Sequence, residues 1–463
     1  MSIVYNKANQ IVGPLIFLKN EHDVQYGEIV KIDLGNGAIR TGQVVKISED
    51  LIVLEVFQGT TGLSLDGLKI QFTEDSFKLK ISEDMMGQTF NSLGKPIDVN
   101  TRKILDVEIL TDVELDINGS AINPYARAYP SDVIQTGISV IDGLFTLIRG
   151  QKLPIFSAQG LPHNKLAAQI VSQAKVLTEE PFLIIFCGIG IIQDEAIYFL
   201  NKFHESGNIQ NIISFINFAD DPIMERLIIP RVALTTAEYF AFEKDMHVLV
   251  ILIDMTNYAE ALRELSSAKE EIPSRKGYPG YLYSDFASIY ERTGKIKGKK
   301  GTITQIPILT MPNDDISHPI PDTSGYITEG QLVLSRTLHK KGIYPPFEVL
   351  SSISRLMKDA IGADTTREDH ADISSQLLAS YSSALEVRDL ISIVGEEGLS
   401  YDQKALLSFA NDFEFRFINQ GFNENRDFNE TFEIAWECLS NLPERDLFRI
   451  HKEYIEKYYK EKV

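Results

Sequence analysis

The chain has 463 residues, of which 44% are hydrophobic and 24% charged, as in ordinary globular proteins. This length predicts about three domains with sizeable cores. The chain contains 45 basic and 65 acidic residues, which gives a formal net charge of −20. The overall field therefore repels nucleic acid and anionic lipid, and we expect no nucleic-acid partner.

The two cysteines, Cys187 and Cys438, are far apart and lie among apolar residues. They predict two buried thiols in a reducing, cytoplasmic setting, with no disulfide and no cysteine-based metal site. The longest uncharged apolar run, Pro181 to Ile192, is shorter than the roughly 18 residues that span a bilayer. The N-terminus lacks the pattern of a signal peptide. We therefore expect contact with a membrane only through partners.

Residues 1–75 are predicted to form an antiparallel β-barrel. Apolar residues alternate along Glu28–Leu34, and the runs QVVKIS and LIVLEVF that follow are rich in β-branched residues. The sequence Gly35, Asn36, Gly37 between these runs is a strong hairpin signal.

Residues 76–365 are predicted to form an α/β domain with a mostly parallel sheet. Five short apolar runs recur with helical patterns between them: Leu153–Phe156, Phe182–Phe186, Ile212–Ile216, Val248–Asp254 and Ile303–Leu309. Nearly continuous apolar strands are typical of a parallel sheet that helices cover on both faces.

Residues 366–463 are predicted to form an α-helical bundle. The segment Thr366 to Asp369 has the pattern of a capping box that opens a helix. Apolar residues then recur at helical spacing, at Leu377, Leu378, Tyr381 and Leu385 and again at Phe409, Phe413 and Phe417.

The segment SAQGLPHNKLAAQI follows the strand Leu153–Phe156, where a phosphate-binding loop would lie. The motif GxxxxGK[ST] needs glycines whose amides wrap phosphate, a lysine for the β- and γ-phosphates and a hydroxyl for Mg²⁺. Ser157, Pro162, His163 and Asn164 stand at these four positions, with Gly160 between them. The segment is either a degenerate nucleotide loop or an ordinary strand–turn–helix connection in which Pro162 starts the helix.

The other parts of an ATPase site are also incomplete. No acid lies from Phe182 to Ile192, where an ATPase needs a group to orient the attacking water. Asp254 closes an apolar strand as a Walker-B aspartate does, but this pattern is common. The eight histidines include no HExxH motif, and we expect no metal site. We therefore expect neither ATP hydrolysis at this loop nor a nucleotide cofactor of the chain's own.

Several segments closely resemble the non-catalytic B subunit of the V-type (V/A-type) rotary ATPases, and the resemblance covers essentially the whole chain. They are RGQKLPIFSAQGLPHNKLAAQI, TMPNDDISHPIPDTSGYITEGQ, YPPFEVLSSISRLMKDAIG, SEDMMGQTFNSLGKPID and TREDH. The resemblance implies a β-barrel, a RecA-like α/β domain and a C-terminal helical domain. It also implies an alternating ring with catalytic A subunits that hold ATP or ADP with Mg²⁺. It further implies contact with a central rotor shaft, towards which the helical domain faces, and with a peripheral stalk.

Within SSISRLM, the resemblance gives Arg355 the role of an arginine finger that reaches the neighbouring A subunit's ATP site. A guanidinium fork matches the charge that spreads over the γ-phosphoryl oxygens in the transition state. From spacing alone, Arg355 is an ordinary arginine on a helix face. A purely structural ring subunit and an active rotary or secretion-type NTPase remain alternatives. The sequence distinguishes neither H⁺ from Na⁺ coupling nor hydrolysis from synthesis.

Overall fold

The computed structural model describes residues 3–35, 38–107 and 109–460. It begins with a seven-stranded antiparallel sheet made of β1 (Val4–Lys7), β2 (Gln10–Val12), β3 (Leu15–Lys19), β4 (Ile29–Asp33), β5 (Ile39–Ile47), β6 (Leu51–Val56) and β7 (Asp66–Phe72). The strand order is β1-β7-β4-β5-β6-β3-β2. Val30 and Ile32, on one face of β4, are fully buried in a core of their own. This sheet is the predicted N-terminal β-barrel.

The predicted hairpin joins β4 to β5. These two strands pair in antiparallel register, with Ile32 opposite Arg40, which confirms the hairpin. The tip of its turn, Asn36 and Gly37, lies outside the described residues.

The described residues between 78 and 148 form short strands, one short α-helix and the 3₁₀ helices Glu83–Met85 and Pro124–Ala126. The strands are β8 (Lys78–Ile81), β9 (Thr89–Phe90), β10 (Ile97–Asp98), β11 (Lys103–Ile104), β12 (Val113–Asp116), β13 (Arg127–Ala128), β14 (Val133–Gln135) and β15 (Leu147–Ile148), and the helix is α1 (Ser139–Leu144). Regular alternation of strands and helices begins only after this segment. The domain boundaries at 75/76 and 365/366 stay predictions.

The middle of the chain forms a ten-stranded sheet. Its remaining strands are β16 (Ile155–Ala158), β18 (Phe182–Ile191), β19 (Ile212–Phe218), β20 (His247–Ile253), β21 (Gly294–Ile296), β22 (Thr302–Met311), β23 (Gly330–Val333) and β24 (Ile353–Ser354), while β17 (Lys175–Val176) pairs with β14. The order is β24-β23-β16-β22-β20-β18-β19-β9, and all neighbours from β23 to β9 are parallel. All five apolar runs lie in this sheet, which confirms the α/β fold.

Helices cover both faces of this sheet. They are α2 (His163–Gln173), α3 (Gln193–Glu205), α4 (Ile223–Phe242), α5 (Met255–Ala268), α6 (Leu282–Tyr290), α7 (Pro319–Ile327) and α8 (Arg336–Lys340). Successive residues of β18 enter opposite cores: Ile184 joins the core shared with the C-terminal helices, and Ile185 joins the core that reaches the barrel. Burial on both faces explains why the strands are apolar without alternation.

The C-terminal part is helical, as predicted. Its helices are α9 (His370–Val394), α10 (Tyr401–Asp412), a π-helix (Phe413–Ile418), α11 (Phe428–Leu439) and α12 (Lys452–Tyr458). The rings of Phe409, Phe413 and Phe417 stack in sequence at centroid distances of 5.7 and 5.3 Å. The predicted helical spacing of these three residues is therefore correct.

The capping box at Thr366 to Asp369 is wrong. Helix α9 begins at His370, with Asp369 as an N-cap whose side chain makes no capping bond. The Asp369 carboxylate instead accepts two bonds of 2.6 Å from Arg367 and one of 2.8 Å from the indole of Trp436. The nearby Arg367 and the distant Trp436 thus occupy the carboxylate that the local pattern assigns to a cap.

Cys187 and Cys438 are both buried, which confirms the expectation from their apolar neighbours. Within the described part of the chain, no helix is both long and apolar enough to cross a membrane.

Phe413→Ala should lower the free energy of unfolding by about 3–5 kcal/mol, because it leaves a cavity in a closed aromatic stack. Phe413 is fully buried and also contacts Tyr381 at a ring distance of 4.9 Å. Denaturant unfolding of the isolated chain measures the change.

Phe415→Ala is the matched control, since Phe415 lies in the same π-helix but is 53% exposed. It should change the free energy of unfolding by about 0.5 kcal/mol or less. Equal losses from the two substitutions would contradict this account of the helical core.

Candidate functional site

The segment in place of a phosphate-binding loop joins β16 directly to α2. Strand β16 ends at Ala158, and α2 begins at His163 with Pro162 as its N-cap. Gly160 has a φ of +82° and is exposed, so the turn bends where a residue without a Cβ is favoured. Pro162 has no amide hydrogen and removes a donor from the turn. The segment joins a strand to a helix as a nucleotide loop does, but it offers fewer amide donors.

His163, at the lysine position, turns into the protein. Its Nδ1 lies 2.9 Å from Oγ of Ser157, which is fully buried. Burial lowers the pKa of His163 below its ordinary value, although the charges of Asp254 and Glu195 act in the opposite direction. The imidazole is therefore uncharged at neutral pH and offers no cation to a phosphate.

Asn164, at the hydroxyl position, donates from Nδ2 to Oε1 of Glu195 over 2.7 Å. The other Glu195 oxygen accepts from the amide of Ile192 at the start of α3. Glu195 lies three positions beyond the acid-free stretch that ends at Ile192, so the absence of an acid predicted for this site is wrong. Strand β18 itself contains no Asp or Glu, but Glu195 lies close to its carboxyl end, beside Asn164. The position of Glu195 in the first turn of α3, directly after β18, is the sequence signal that could have identified this acid.

Asp254 lies immediately beyond the end of β20 and begins α5 as its N-cap. Its Oδ1 accepts from the amides of Thr256, at 2.7 Å, and Thr310, at 3.2 Å. Its Oδ2 accepts from the hydroxyl of Thr310 at 2.5 Å. The carboxylate is 9% exposed and joins α5 to β22. Its hydrogen bonds give it a structural role.

A cleft of about 620 Å³ separates the turn at Gln159 and Gly160 from Asp254. Arg336 lies at the rim of the cleft. Its Nε and Nη2 donate to the two carboxylate oxygens of Asp314, at 2.6 and 2.9 Å. Its Nη2 also donates to the carbonyl of Gln159. The described residues that line the cleft include no lysine, and Asp314 already pairs with its arginine. These residues do not fit Mg²⁺–nucleotide. Over the described ranges, no cluster of three or more His, Cys, Asp or Glu side chains is arranged to hold a metal.

Arg355 follows β24 and lies on a turn, so the expectation of a helix-face arginine is wrong. Its backbone N–H donates to the carbonyl of Glu329 at 2.9 Å, and its Nη1 donates to the carbonyl of Thr328 at 3.2 Å. The residue is exposed. In the part of the chain that the structure describes, no carboxylate pairs with it.

The register of the sheet places Arg355 and the turn after β16 at opposite ends. Strand β24 is antiparallel to β23, with Ser354 opposite Gly330 at the amino end of β23. Pairing of Ile155 with Leu332 puts Lys152 level with Glu329. Seven residue steps separate Lys152 from Gln159, which corresponds to about 23 Å along the strand direction at roughly 3.3 Å per residue. An arginine side chain is far shorter, so Arg355 does not reach its own chain's cleft.

These features define an α/β domain with the topology of a nucleotide-binding domain, flanked by a β-barrel and a helical domain, in which the phosphate-binding loop is altered. Three family models match in that order. They are the ATP synthase alpha/beta family beta-barrel domain over residues 9–74, the nucleotide-binding domain of the same family over 137–354, and the C-terminal domain of V and A type ATP synthase over 359–459.

The chain is 55% identical over 456 residues to the B subunit of the A-type ATP synthase of Aeropyrum pernix, a match that covers 98% of this chain and 97% of that protein. It is also 55% identical over 456 residues to the V-type ATP synthase beta chain of Thermotoga neapolitana, covering 98% of each. The ATP synthase subunit NeqB from Nanoarcheaum equitans superposes with a TM-score of 0.73 at 42% identity, over 93% of this chain and 100% of that one. The chain therefore belongs to the B-subunit family of the A/V-type ATP synthases, as the sequence predicted.

The isolated chain should bind Mg-ATP weakly or not at all, because the lysine position holds a half-buried imidazole with a lowered pKa and Pro162 removes an amide donor. Isothermal titration calorimetry should show no saturable heat at micromolar nucleotide. Micromolar binding that disappears when Gln159 and Gly160 are deleted would contradict this reading of the cleft.

The double variant His163→Lys with Asn164→Thr should still not hydrolyse ATP. Ser157 and Pro162 remain at the two glycine positions, so the loop amides cannot surround the phosphates even with Glu195 nearby. A phosphate-release assay measures turnover. Adding Ser157→Gly and Pro162→Gly provides the comparison, and turnover by the double variant alone would refute the argument.

Proposed function

We propose that this chain is the non-catalytic B subunit of a V/A-type rotary ATPase and supplies Arg355 in trans to the ATP site of a neighbouring A subunit. Membership in the B-subunit family supports the assembly. The observation that carries the proposal is the placement of Arg355. It is exposed, has no carboxylate partner in the described structure, and lies at the opposite end of the sheet from its own chain's cleft, about 23 Å away along the strands.

The chemistry of this position suits a phosphate held by another chain. Of the guanidinium nitrogens, the structure gives only Nη1 a hydrogen-bond partner within the described residues, the carbonyl of Thr328. Nε and Nη2 remain to donate together to two phosphoryl oxygens, which suits a planar fork. A finger of this kind raises the rate by about 10³–10⁵, or about 4–7 kcal/mol of the barrier.

In this proposal the chain holds no nucleotide cofactor, and the A subunit holds ATP or ADP with Mg²⁺. The occupied carboxylate of Asp254 and the uncharged His163 support that division of labour. The ring alternates A and B subunits, contacts a rotor shaft and a peripheral stalk, and couples ATP hydrolysis or synthesis to H⁺ or Na⁺ transport. It meets the membrane from the cytoplasmic side, through the complex.

Arg355→Ala, in a ring assembled with wild-type A subunits, should leave assembly and ATP binding nearly unchanged and lower kcat by about 10³-fold or more. The finger acts on charge that develops in the transition state, so its loss affects turnover more than binding. Arg355→Lys should restore little, because an ammonium does not donate to two oxygens as a fork does. ATP turnover at saturating ATP is the measurement.

Lys358→Ala is the matched control, since Lys358 is an exposed cation three positions along the same turn. Arg336→Ala, which opens the chain's own cleft, should also cost much less than Arg355→Ala. Arg367 does not serve as a control, because its guanidinium pairs with the fully buried Asp369 and its loss destabilises the fold. Near-normal turnover with Arg355→Ala would instead favour a purely structural ring subunit.

A further inference from the structure

Two consecutive buried residues support the segment that carries Arg355. Gln151 is 0% exposed and Lys152 is 3% exposed, and they lie just before β16 at the amino end of the sheet. Gln151 donates from Nε2 to Oγ of Ser354 at 2.9 Å, and the same Ser354 hydroxyl donates to the carbonyl of Thr146. The residue immediately before Arg355 is thus fixed from the interior of the protein.

Lys152 holds the other side of this segment through Glu329. Its backbone N–H donates to Glu329 Oε2 at 2.8 Å, and its Nζ pairs with Oε1 of the same carboxylate at 2.8 Å. Its carbonyl accepts from the Glu329 amide at 3.2 Å. Three contacts between two residues leave Glu329 little freedom to move, and a buried ammonium is costly to leave without its partners.

Glu329 and Thr328 are the residues that Arg355 itself contacts, through the two carbonyl bonds described above. Thr328 is fixed in turn, because its hydroxyl donates to the carbonyls of Ser324 and Gly330 at 2.8 and 3.0 Å. Strands β23 and β24 are also in close contact here, since a Cβ added at Gly330 would overlap the carbonyl oxygen of Ile353. These contacts fix the backbone of the turn that carries Arg355.

We propose that Lys152 and Glu329 together are positioning residues for the Arg355 finger, with Gln151 as a second support. This inference rests on the proposed function of Arg355. The guanidinium is on an exposed turn, and its direction depends on the peptide Thr328–Glu329, which the buried ammonium of Lys152 fixes. A displacement of about 1 Å in a group that contacts a transition state costs up to about 10²-fold in rate.

The structure supplies a matched control in Glu291. Its Oε1 pairs with the same Lys152 Nζ at 2.9 Å, and its Oε2 pairs with Arg127 at 2.6 Å. The described contacts of Glu291 include none with Thr328, Glu329 or Arg355. Removing Glu291 therefore takes one carboxylate from Lys152 without releasing the finger.

Glu329→Ala in the assembled ring should lower kcat at saturating ATP by about 10–100-fold with little change in KM for ATP, because the finger is misplaced rather than lost. Glu329→Gln should recover only part of the rate, because its single amide oxygen accepts from one of the two Lys152 donors while its NH2 group faces the other. In an Arg355→Ala ring, Glu329→Ala should add little further loss of the residual single-turnover rate. Glu291→Ala should stay within about threefold of wild type, with thermal unfolding of each ring measured alongside.

The outcomes separate the two proposals. If Arg355→Ala slows turnover but Glu329→Ala does not, or if the two losses multiply in the double variant, the positioning inference is wrong and the finger stands. Equal losses from Glu291→Ala and Glu329→Ala would also overturn it, because a general effect on Lys152 would then suffice. If Arg355→Ala leaves turnover intact, the proposed function itself fails.

Discussion

The common direction of the strands from β23 to β9 is the constraint on which the rest of this molecule depends. In a parallel sheet, the carboxyl ends of all strands lie at one edge and their amino ends at the opposite edge. The altered loop and Asp254 lie at the finishing end, and the turn with Arg355 lies at the other, beside Glu329. The chain therefore presents its cleft and Arg355 at opposite ends of the sheet, an arrangement that suits the proposed role of Arg355 in a neighbouring subunit's site.

The altered loop keeps its shape because internal hydrogen bonds replace those that a ligand would make. Ser157 bonds to His163, Asn164 bonds to Glu195, and the oxygens of Asp254 accept from Thr256 and Thr310. A buried polar group without a partner costs about 1–3 kcal/mol, so these bonds stabilise the site in the absence of nucleotide. The same bonds also occupy the groups that would otherwise meet phosphate and Mg²⁺.

At the amino end of the sheet, beside Arg355, ion pairs rather than loop hydrogen bonds hold the backbone in place. Lys152, which is nearly fully buried, has Glu291 and Glu329 as its carboxylate partners. Such groups are tolerated in an interior only when paired, so this small network fixes the peptides around it. Lys152 and Glu329 could not be paired from the sequence, because one charged residue in an apolar segment does not indicate which distant carboxylate it meets.

The sequence by itself determined the barrel, the five core strands and the C-terminal helices, because burial on one face or on two leaves a periodic pattern in the chain. It also identified the loss of the loop's lysine and hydroxyl, since those depend on residue type alone. The tertiary structure decided the rest. It placed Arg355 on a turn rather than a helix, paired Asp369 with the distant indole of Trp436 instead of a capping box, and brought Glu195 to Asn164. Each of these depends on partners distant in the chain, and local spacing carries no information about which distant groups pack together.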